Sequence, residues 1–265
     1  MNKINFLTSL FLLILLLCLN NKPYEFFTSN LESGFNVFDK ILYINLKHRN
    51  DRKNQILNEL KKMDILEDKI YRIDAVHEKY NGHIGCAKSH IKTIEFAKKN
   101  NFKTVAVFED DFVFTEEKTV VFKKIKDFLN NFEGKWDIIQ LTAVFKKLSD
   151  TEHDSIKKVK SATTSSAYII NSTFYDKLIN ILKESLENME KDMIEFNKTN
   201  KNVLKKKTQT RYALDQYWSK LQKKSDWYIF FPYLGKQGGT AGSSSIMGGV
   251  EAFSGNYVRT YQLNV

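Results

Sequence analysis

Three consecutive carboxylates, Glu109, Asp110 and Asp111, end an apolar stretch of the chain in the segment "VFEDDFVF". Adjacent carboxylates repel one another and raise each other's pKa unless a cation neutralises them. Hard oxygen ligands suit magnesium or manganese, which bind through one or two carboxylates together with the phosphates of a substrate. The triplet therefore indicates a divalent metal site that works on a phosphorylated ligand.

The same acidic residues have a second interpretation, as a helix N-cap ahead of a helix that starts near Thr115. Zinc hydrolase and P-loop chemistry find no support, since the sequence has no HEXXH, no CXXC pair and no Walker lysine loop. In extended backbone, alternate residues share a face of the strand. We therefore expect Glu109 and Asp111 to point the same way and Asp110 to point to the opposite side.

Strands and helices alternate along the chain on both sides of the triplet. Glycines at 82 and 85 are predicted to break the chain before the second helix. The hydrophobic pattern predicts strands at 40–46, 71–76, 103–109, 137–142, 156–160 and 166–170, helices at 49–63, 86–100 and 116–131, and a long helix from about 172 to 196. Such alternation predicts an α/β domain with a mainly parallel sheet, in which ligands bind outside the carboxyl ends of the strands. The triplet lies at such an end.

The two ends of the chain depart from this pattern. The run from Leu10 to Leu19 is apolar without interruption, so residues 1–22 are predicted to be a signal anchor or a signal peptide. A stem at 23–39 and a single domain at 40–265 follow. The segment 235–249 is rich in glycine and serine, and it is interpreted either as a surface loop or as a mobile loop over a site.

Composition limits the choice of partner without deciding it. The chain has 265 residues and 42% hydrophobic content, enough for one sizeable core. Its formal net charge of +10 comes from lysines scattered along the chain, a pattern more typical of solvated surface than of a nucleic-acid stripe. A basic protein still attracts anionic ligands such as nucleotides. Cys18 and Cys86 cannot build a disulfide framework.

Five segments, in order, resemble glycosyltransferase family 25, the group that includes lipooligosaccharide galactosyltransferases and procollagen galactosyltransferase domains. They are "YINLKHRNDR" at 43–52, "GCAKSHIKTIEFA" at 85–97, "VFEDD" at 107–111, "WDIIQL" at 136–141 and "SSAYIINSTFYDKLI" at 165–179. Agreement is weaker through "DQYW" at 215–218 and "GKQGGTAGSSSI" at 235–246. Any one motif would be weak evidence, but five in the right order and spacing are strong evidence.

The resemblance implies a GT-A type fold, with a Rossmann-like mixed, mainly parallel sheet flanked by helices. It also implies a UDP-sugar donor and a manganese or magnesium ion held by an Asp-x-Asp-like motif. By position, Asp111 and Glu109 would bind the metal, with Asp111 the better single ligand. Ser243 to Ser245 would belong to a terminal loop over the donor or acceptor. The residues expected near the donor are Asn45, Leu46, Arg49, Arg52, Ser89, His90, Glu109, Asp110 and Gln237.

Two of these assignments have competing interpretations. Ser89 and His90 are expected to line the donor pocket or to hold the acidic segment. A Ser-His protease is excluded because neighbours on a helix do not face each other. Arg52 fits the donor diphosphate, but it also fits a solvent-exposed position on the first helix.

An inverting transfer, which the resemblance implies, needs a base for the acceptor hydroxyl. Asp215 is our candidate, because the resemblance places this acid across the pocket from the donor; the alternative is a helix N-terminal charge. Tyr217 and Trp218 could offer a platform to a sugar ring, but they are more typical of core.

The function expected is a membrane-anchored, metal-dependent glycosyltransferase. It would move galactose or glucose from a UDP-sugar to a glycan or a hydroxylated protein. A catalytically inactive carbohydrate-binding protein, or a surface or virion protein, of the same fold is the alternative. Nucleic acid is not an expected partner.

Overall fold

The structure is a computed structural model that describes residues 34–199 and 210–238. Its central element is an eight-stranded β-sheet. Two further strands, β4 and β10, form a separate antiparallel pair. In chain order the strands are β1 (Lys40–Asn45), β2 (Ile70–Asp74), β3 (Thr104–Glu109), β4 (Phe112–Phe114), β5 (Ile138–Gln140), β6 (Val144–Ser149), β7 (Ile156–Thr163), β8 (Ala167–Asn171), β9 (Trp227–Phe230) and β10 (Gly235–Gln237).

The large sheet has the order β2-β1-β3-β8-β5-β9-β7-β6. β1 pairs in parallel with β2 and β3, and β5 pairs in parallel with β9. β8 runs antiparallel to both β3 and β5, so β2, β1, β3, β5 and β9 share one direction. β6 and β7 form an antiparallel hairpin beside β9. The predicted α/β class with a mixed, mainly parallel sheet is confirmed, but the sequence pattern did not show that β8, between β3 and β5, would be a reversed strand.

Helices cover both faces of this sheet. They are α1 (Asn50–Lys62), α2 (Gly82–Lys99), α3 (Lys118–Asn131), α4 (Tyr175–Thr199) and the short α5 (Leu214–Tyr217) and α6 (Ser219–Gln222). Successive residues of β1 join different cores: Leu42 packs in the cluster that includes residues of α2 and α4, and Tyr43 packs in the cluster that includes residues of α1 and α3. A sheet buried on both faces explains why its strands appear as continuous apolar runs.

The second helix begins earlier than the sequence predicted. α2 starts at Gly82 because the Asn81 side chain accepts a hydrogen bond of 3.0 Å from the backbone N–H of His83, which caps the helix. Gly85, predicted to break the chain, lies inside the helix. A Cβ added there would lie 2.6 Å from the backbone oxygen of Val76, so the glycine permits α2 to pack closely on the segment after β2.

Structured residues are also found before the predicted boundary at Lys40. A 3-10 turn at Gly34–Val37 precedes β1, and Phe35 and Phe38 are buried in the core with α1 and α3. The predicted segment 1–22 and the loop with Ser243 to Ser245 lie outside the described residues. Within residues 34–199 and 210–238, no helix has the length and apolar content to cross a membrane.

Candidate active site

The acidic triplet lies where the backbone leaves the sheet. Glu109 is the last residue of β3, and Asp110 and Asp111 form the turn that leads into β4. Asp110 and Asp111 are therefore not in extended backbone, and the predicted alternation of their side chains between two faces of a strand does not apply to them. Because the chain turns, both aspartates reach the same guanidinium: Arg52 Nη1 donates to Asp110 Oδ1 over 3.1 Å and to Asp111 Oδ2 over 3.3 Å. We call residues 109–111 the acidic turn.

Arg52 lies in the first turns of α1 and is buried, so the helix after β1 supplies the positive charge of the site. Its solvent-exposed interpretation is thereby wrong. The end of β1 adds a second support, since Asn45 Nδ2 donates to Asp110 Oδ2 over 2.7 Å and to the Arg49 carbonyl over 3.0 Å. Arg72 donates in turn to Asn45 Oδ1. The amide of Asn45 thus fixes the acidic turn.

Leu46 and Arg49 lie in the turn between β1 and α1. Leu46 is half-buried, and its carbonyl accepts from the backbone N–H of Arg49 over 2.9 Å. Arg49 pairs with Asp51 at 2.7 Å. This hydrogen bond, together with the nearby charges of Asp110 and Asp111, raises the pKa of Arg49 above its ordinary value. Arg49 therefore lies within electrostatic reach of the acidic turn.

Glu109 is held by donors from three other parts of the chain. His90 Nε2 lies 3.1 Å from Glu109 Oε1, Ser165 Oγ donates to the same oxygen over 2.5 Å, and Gln237 Nε2 donates to Oε2 over 3.4 Å. Burial alone would raise the pKa of Glu109, but the hydrogen bonds with His90 and Ser165 lower it below its ordinary value. Glu109 is consequently an ionised, fixed carboxylate.

The sequence neighbours Ser89 and His90 contact different parts of the chain. His90 is fully buried, and its Nδ1 lies 3.0 Å from Tyr168 Oη while its Nε2 faces Glu109, so this histidine holds the acidic turn. Ser89 Oγ instead donates to the carbonyl of Gly85 and accepts from the backbone N–H of Val76. Ser89 therefore fastens α2 to the segment after β2 and does not contact the acidic turn.

Asp111 differs sharply from Glu109. Burial and the neighbouring charge of Glu109 raise the pKa of Asp111 to about 7, against the attraction of Arg52. Its Oδ1 atom is buried and makes no hydrogen bond with any residue that the structure describes. A buried carboxylate oxygen with no donor is costly unless a cation or another ligand contacts it.

Asp215 lies in the first turn of α5, where its Oδ2 accepts a 3.0 Å hydrogen bond from the backbone N–H of Thr164. Burial raises the pKa of Asp215, and the charge of Glu109 adds to this shift. Burial lowers the pKa of His83, and the negative charge of Asp215 partly opposes this shift. The aromatic residues next to Asp215 are core: Tyr217 is buried, and Trp218 is fully buried against Tyr168 and Trp227.

The acidic turn fits a hard divalent cation. Asp110 and Asp111 share the guanidinium of Arg52, and the adjacent Glu109 is ionised, so the turn carries an excess of negative charge. The unpartnered oxygen of Asp111 is a ready ligand. A second donor set, Cys86, His90 and Glu109, brings its ligand atoms within 4.8 Å of one another. That set suits a metal less well, because both ring nitrogens of His90 already have partners and burial raises the pKa of the Cys86 thiol.

The sequence of residues 77–242 matches the family model of glycosyltransferase family 25, described as an LPS biosynthesis protein. This range is more than half of the 265-residue chain. The chain belongs to glycosyltransferase family 25. The resemblance seen in the motifs is thereby confirmed.

Three solved structures show the extent of structural likeness to this family 25 glycosyltransferase. A197 from STIV is 13% identical, with a TM-score of 0.39 over 74% of this chain and 83% of that chain. UDP-glucose pyrophosphorylase complexed with UDP-glucose is 9% identical, with a TM-score of 0.41 over 75% and 74%. A glycosyltransferase involved in the glycosylation of the major capsid of PBCV-1 is 9% identical, with a TM-score of 0.35 over 78% and 95%. Scores this low add nothing to the assignment, and comparison with curated proteins finds no match.

Several contacts of the family 25 site could not be found by reasoning from sequence. The motif "SSAY" points to Ser165, but the hydrogen bond of Ser165 to Glu109 depends on the reversed strand β8 beside β3. Thr164, whose backbone N–H donates to Asp215, and Gln140, whose Nε2 donates to the Thr164 carbonyl, carry no local signal at all. Their contacts come from chain segments that only the fold brings together.

Proposed function

We propose that this glycosyltransferase transfers a hexose from a UDP-sugar, with the donor diphosphate bound through a divalent metal ion at the acidic turn. The observation that carries the proposal is the buried Oδ1 of Asp111, which has no partner among the described residues and lies beside the ionised Glu109 at the carboxyl end of β3. Ligands of open α/β sheets bind at such strand ends.

Asp111 and Glu109 would hold the ion, which we take to be manganese or magnesium. When bound, the ion would offset the negative charge that develops on the departing UDP. The protein's own part is to keep the carboxylates in place. Arg52 and Asn45 fix Asp110 and the turn, and the donors on Glu109 keep that carboxylate ionised.

The donor nucleotide would lie over the end of β1, where Leu46 and Arg49 follow the strand. The positive charge of Arg49, which pairs with Asp51, would attract the diphosphate, because Arg49 lies within electrostatic reach of the acidic turn. The amide of Asn45 is already engaged by Asp110 and Arg72, so its contacts favour a positioning role over direct contact with the donor. Gln237 would close the site from β10.

Asp215 would act as the base of an inverting displacement. It would take the proton from the acceptor hydroxyl as the oxygen attacks the anomeric carbon and the bond to UDP breaks. Burial supports this role, because a raised pKa makes the carboxylate a stronger base. The acceptor is a hydroxyl of a glycan or of a hydroxylated protein, and the hexose is galactose or glucose.

We further propose that residues 1–22 anchor the enzyme to a membrane, with the catalytic domain on the far side. The uninterrupted apolar run from Leu10 to Leu19 supports this placement.

A donor screen tests the proposal. The full chain, in detergent, is incubated with a panel of UDP-hexoses and manganese or magnesium, and UDP release is measured with and without EDTA. We expect release from at least one UDP-hexose that EDTA abolishes and added metal restores. A chain that binds glycans but releases no UDP from any donor would instead be the inactive carbohydrate-binding relative.

A further inference from the structure

Thr164 has a backbone conformation that its side chain disfavours. Its φ of 79° lies in the left-handed region, which is a true outlier for a β-branched residue. The other described residues of this kind, apart from glycine, are Asp64 and Asn101, and both follow the ends of helices, where such a conformation is common. Strain of this kind persists only when surrounding contacts enforce it, and it concentrates at functional sites.

Two hydrogen bonds hold the backbone of Thr164 from opposite sides. Its N–H donates to Asp215 Oδ2 over 3.0 Å, and its carbonyl accepts from Gln140 Nε2 over 2.9 Å. Gln140 is itself fixed, since its Oε1 accepts from Trp227 Nε1 over 3.0 Å and both residues are fully buried. The conformation of Thr164 is therefore enforced from the core of the sheet.

The next two residues reach the acidic turn. Ser165 Oγ donates to Glu109 Oε1 over 2.5 Å, and the carbonyl of Ser166 accepts from the backbone N–H of Glu109 over 2.8 Å. The segment 164–166, which connects β7 to β8, thus contacts Asp215 at one end and Glu109 at the other. These two carboxylates come from distant parts of the chain, and this short segment bonds to both.

We propose that residues 164–166 form a positioning bridge, which sets Asp215 relative to the acidic turn and is kept in register by the bond from Gln140 to Thr164. The inference rests on the proposed function for the roles of Asp215 and Glu109. Its physical basis is that a displacement of about 1 Å between reacting groups lowers turnover on the order of 100-fold. A relaxed Thr164 would rotate its N–H away from Asp215 and shift Ser165 on Glu109.

The test is a double-mutant cycle on the full chain with Gln140→Leu and Thr164→Gly. Gln140→Leu removes the donor to Thr164, and we expect kcat for UDP release to fall on the order of 100-fold while the donor KM changes little. Glycine adopts a positive φ without strain, so a glycine at position 164 does not need the hydrogen bond from Gln140 to hold that conformation. We expect Thr164→Gly alone to keep wild-type kcat, and Thr164→Gly in the Gln140→Leu background to restore most of it. A double variant that folds but stays as slow as Gln140→Leu overturns the bridge.

Thermal unfolding of the same four proteins gives a readout that does not depend on activity. Gln140→Leu also leaves Trp227 Nε1 without its acceptor, but that loss is the same in both backgrounds and cancels in the cycle. We expect Gln140→Leu to lower the melting temperature more when residue 164 is glycine, because Thr164 can offset part of the lost bond by relaxing its strained backbone and glycine has no strain to relieve. Additive losses would contradict enforced strain. If Gln140→Leu does not fold, Thr164→Gly is compared with Thr164→Ala, and an equal melting temperature for the two is the contradicting result. If the wild-type protein releases no UDP, the proposed function is refuted. The melting temperatures of the four proteins then still test whether the strain at Thr164 is enforced.

Discussion

Glu109 and Asp111 are separated by one residue, yet their surroundings move their pKa values in opposite directions. Glu109 receives donors from His90 and Ser165 and stays ionised, whereas Asp111 is buried with an unpartnered oxygen and a pKa raised to about 7. The sequence shows both residue types and their position at a strand end. It does not show the difference between them, because their partners come from α1, α2 and the segment before β8.

The first prediction at this scale concerns the proposed base. Asp215→Asn keeps an oxygen that can accept from the Thr164 N–H, but it cannot take a proton. We expect kcat for sugar transfer to fall roughly 10²- to 10⁴-fold, the usual worth of general base catalysis, with the donor KM little changed. Initial rates over a range of donor concentrations check this. A variant with wild-type kcat would show that Asp215 is not the base.

The second prediction concerns pH. The base works in its deprotonated form, and burial raises the pKa of Asp215 above the ordinary 3.8. As pH falls, kcat should therefore begin to decline at a higher pH than an ordinary aspartate would give, and the decline should be absent from the residual activity of Asp215→Asn. The profile is measured at saturating donor and metal. An acid limb that is unchanged in Asp215→Asn would assign it to another group.

At the scale of the elements, the apolar pattern predicts whether a segment is a helix or a strand better than it predicts where each element begins and ends. Apolar periodicity correctly indicates strands where β1, β3 and β8 lie and helices where α1, α2 and α4 lie. It misses β6, β9 and β10, which are short or lie in irregular sequence and exist because a neighbouring strand pairs with them. The pairing of β10 with β4 matters for the site, since it brings Gln237 to Glu109.

The close approach of α2 to the segment after β2 yields a third prediction. In Gly85→Ala the new methyl group would meet the Val76 carbonyl at 2.6 Å, so the helix or the segment must move. We expect the free energy of unfolding to fall by about 1–3 kcal/mol, the usual cost of overpacking. Urea denaturation measures it. Gly134→Ala is the matched control, since its methyl group would meet only the Phe132 ring at an exposed position, and equal losses in both variants would contradict the argument.

At the scale of the whole molecule, family membership shows a glycosyltransferase, and the sheet places the acidic turn at the end of β3, where ligands of open α/β sheets bind. Most residues of the candidate site could be named in advance because the family motifs mark them. The bridge at 164–166 and its support from Gln140 could not, because strain and buried hydrogen bonds leave no local trace in sequence. Prediction from sequence therefore fails for contacts between segments that are far apart in the chain.

The proposed membrane anchor gives a fourth prediction. The full chain should remain with the membrane fraction after washing with high salt, because burial of an apolar segment does not depend on charge. Removal of residues 1–22 should release the protein into the soluble fraction and preserve UDP release. Fractionation followed by immunoblotting measures both. A truncated protein that stays on the membrane until salt is added would instead indicate attachment through the surface lysines.

The central claim is that Asp111 binds the metal that activates the donor. The most direct measurement is UDP release from the best UDP-hexose during a manganese titration, with Asp111→Asn compared to wild type. Asp176→Asn is the control, since it removes an exposed aspartate that pairs with Lys98 outside the site.

We expect Asp111→Asn to fold and melt at or above the wild-type temperature, because it removes a buried carboxylate with an unpartnered oxygen. It should lose metal-dependent release by at least about 100-fold, since stabilisation of charge by a metal ion is worth several kcal/mol. Asp176→Asn should match wild type. A folded Asp111→Asn enzyme with the wild-type rate and the wild-type manganese dependence would contradict the account.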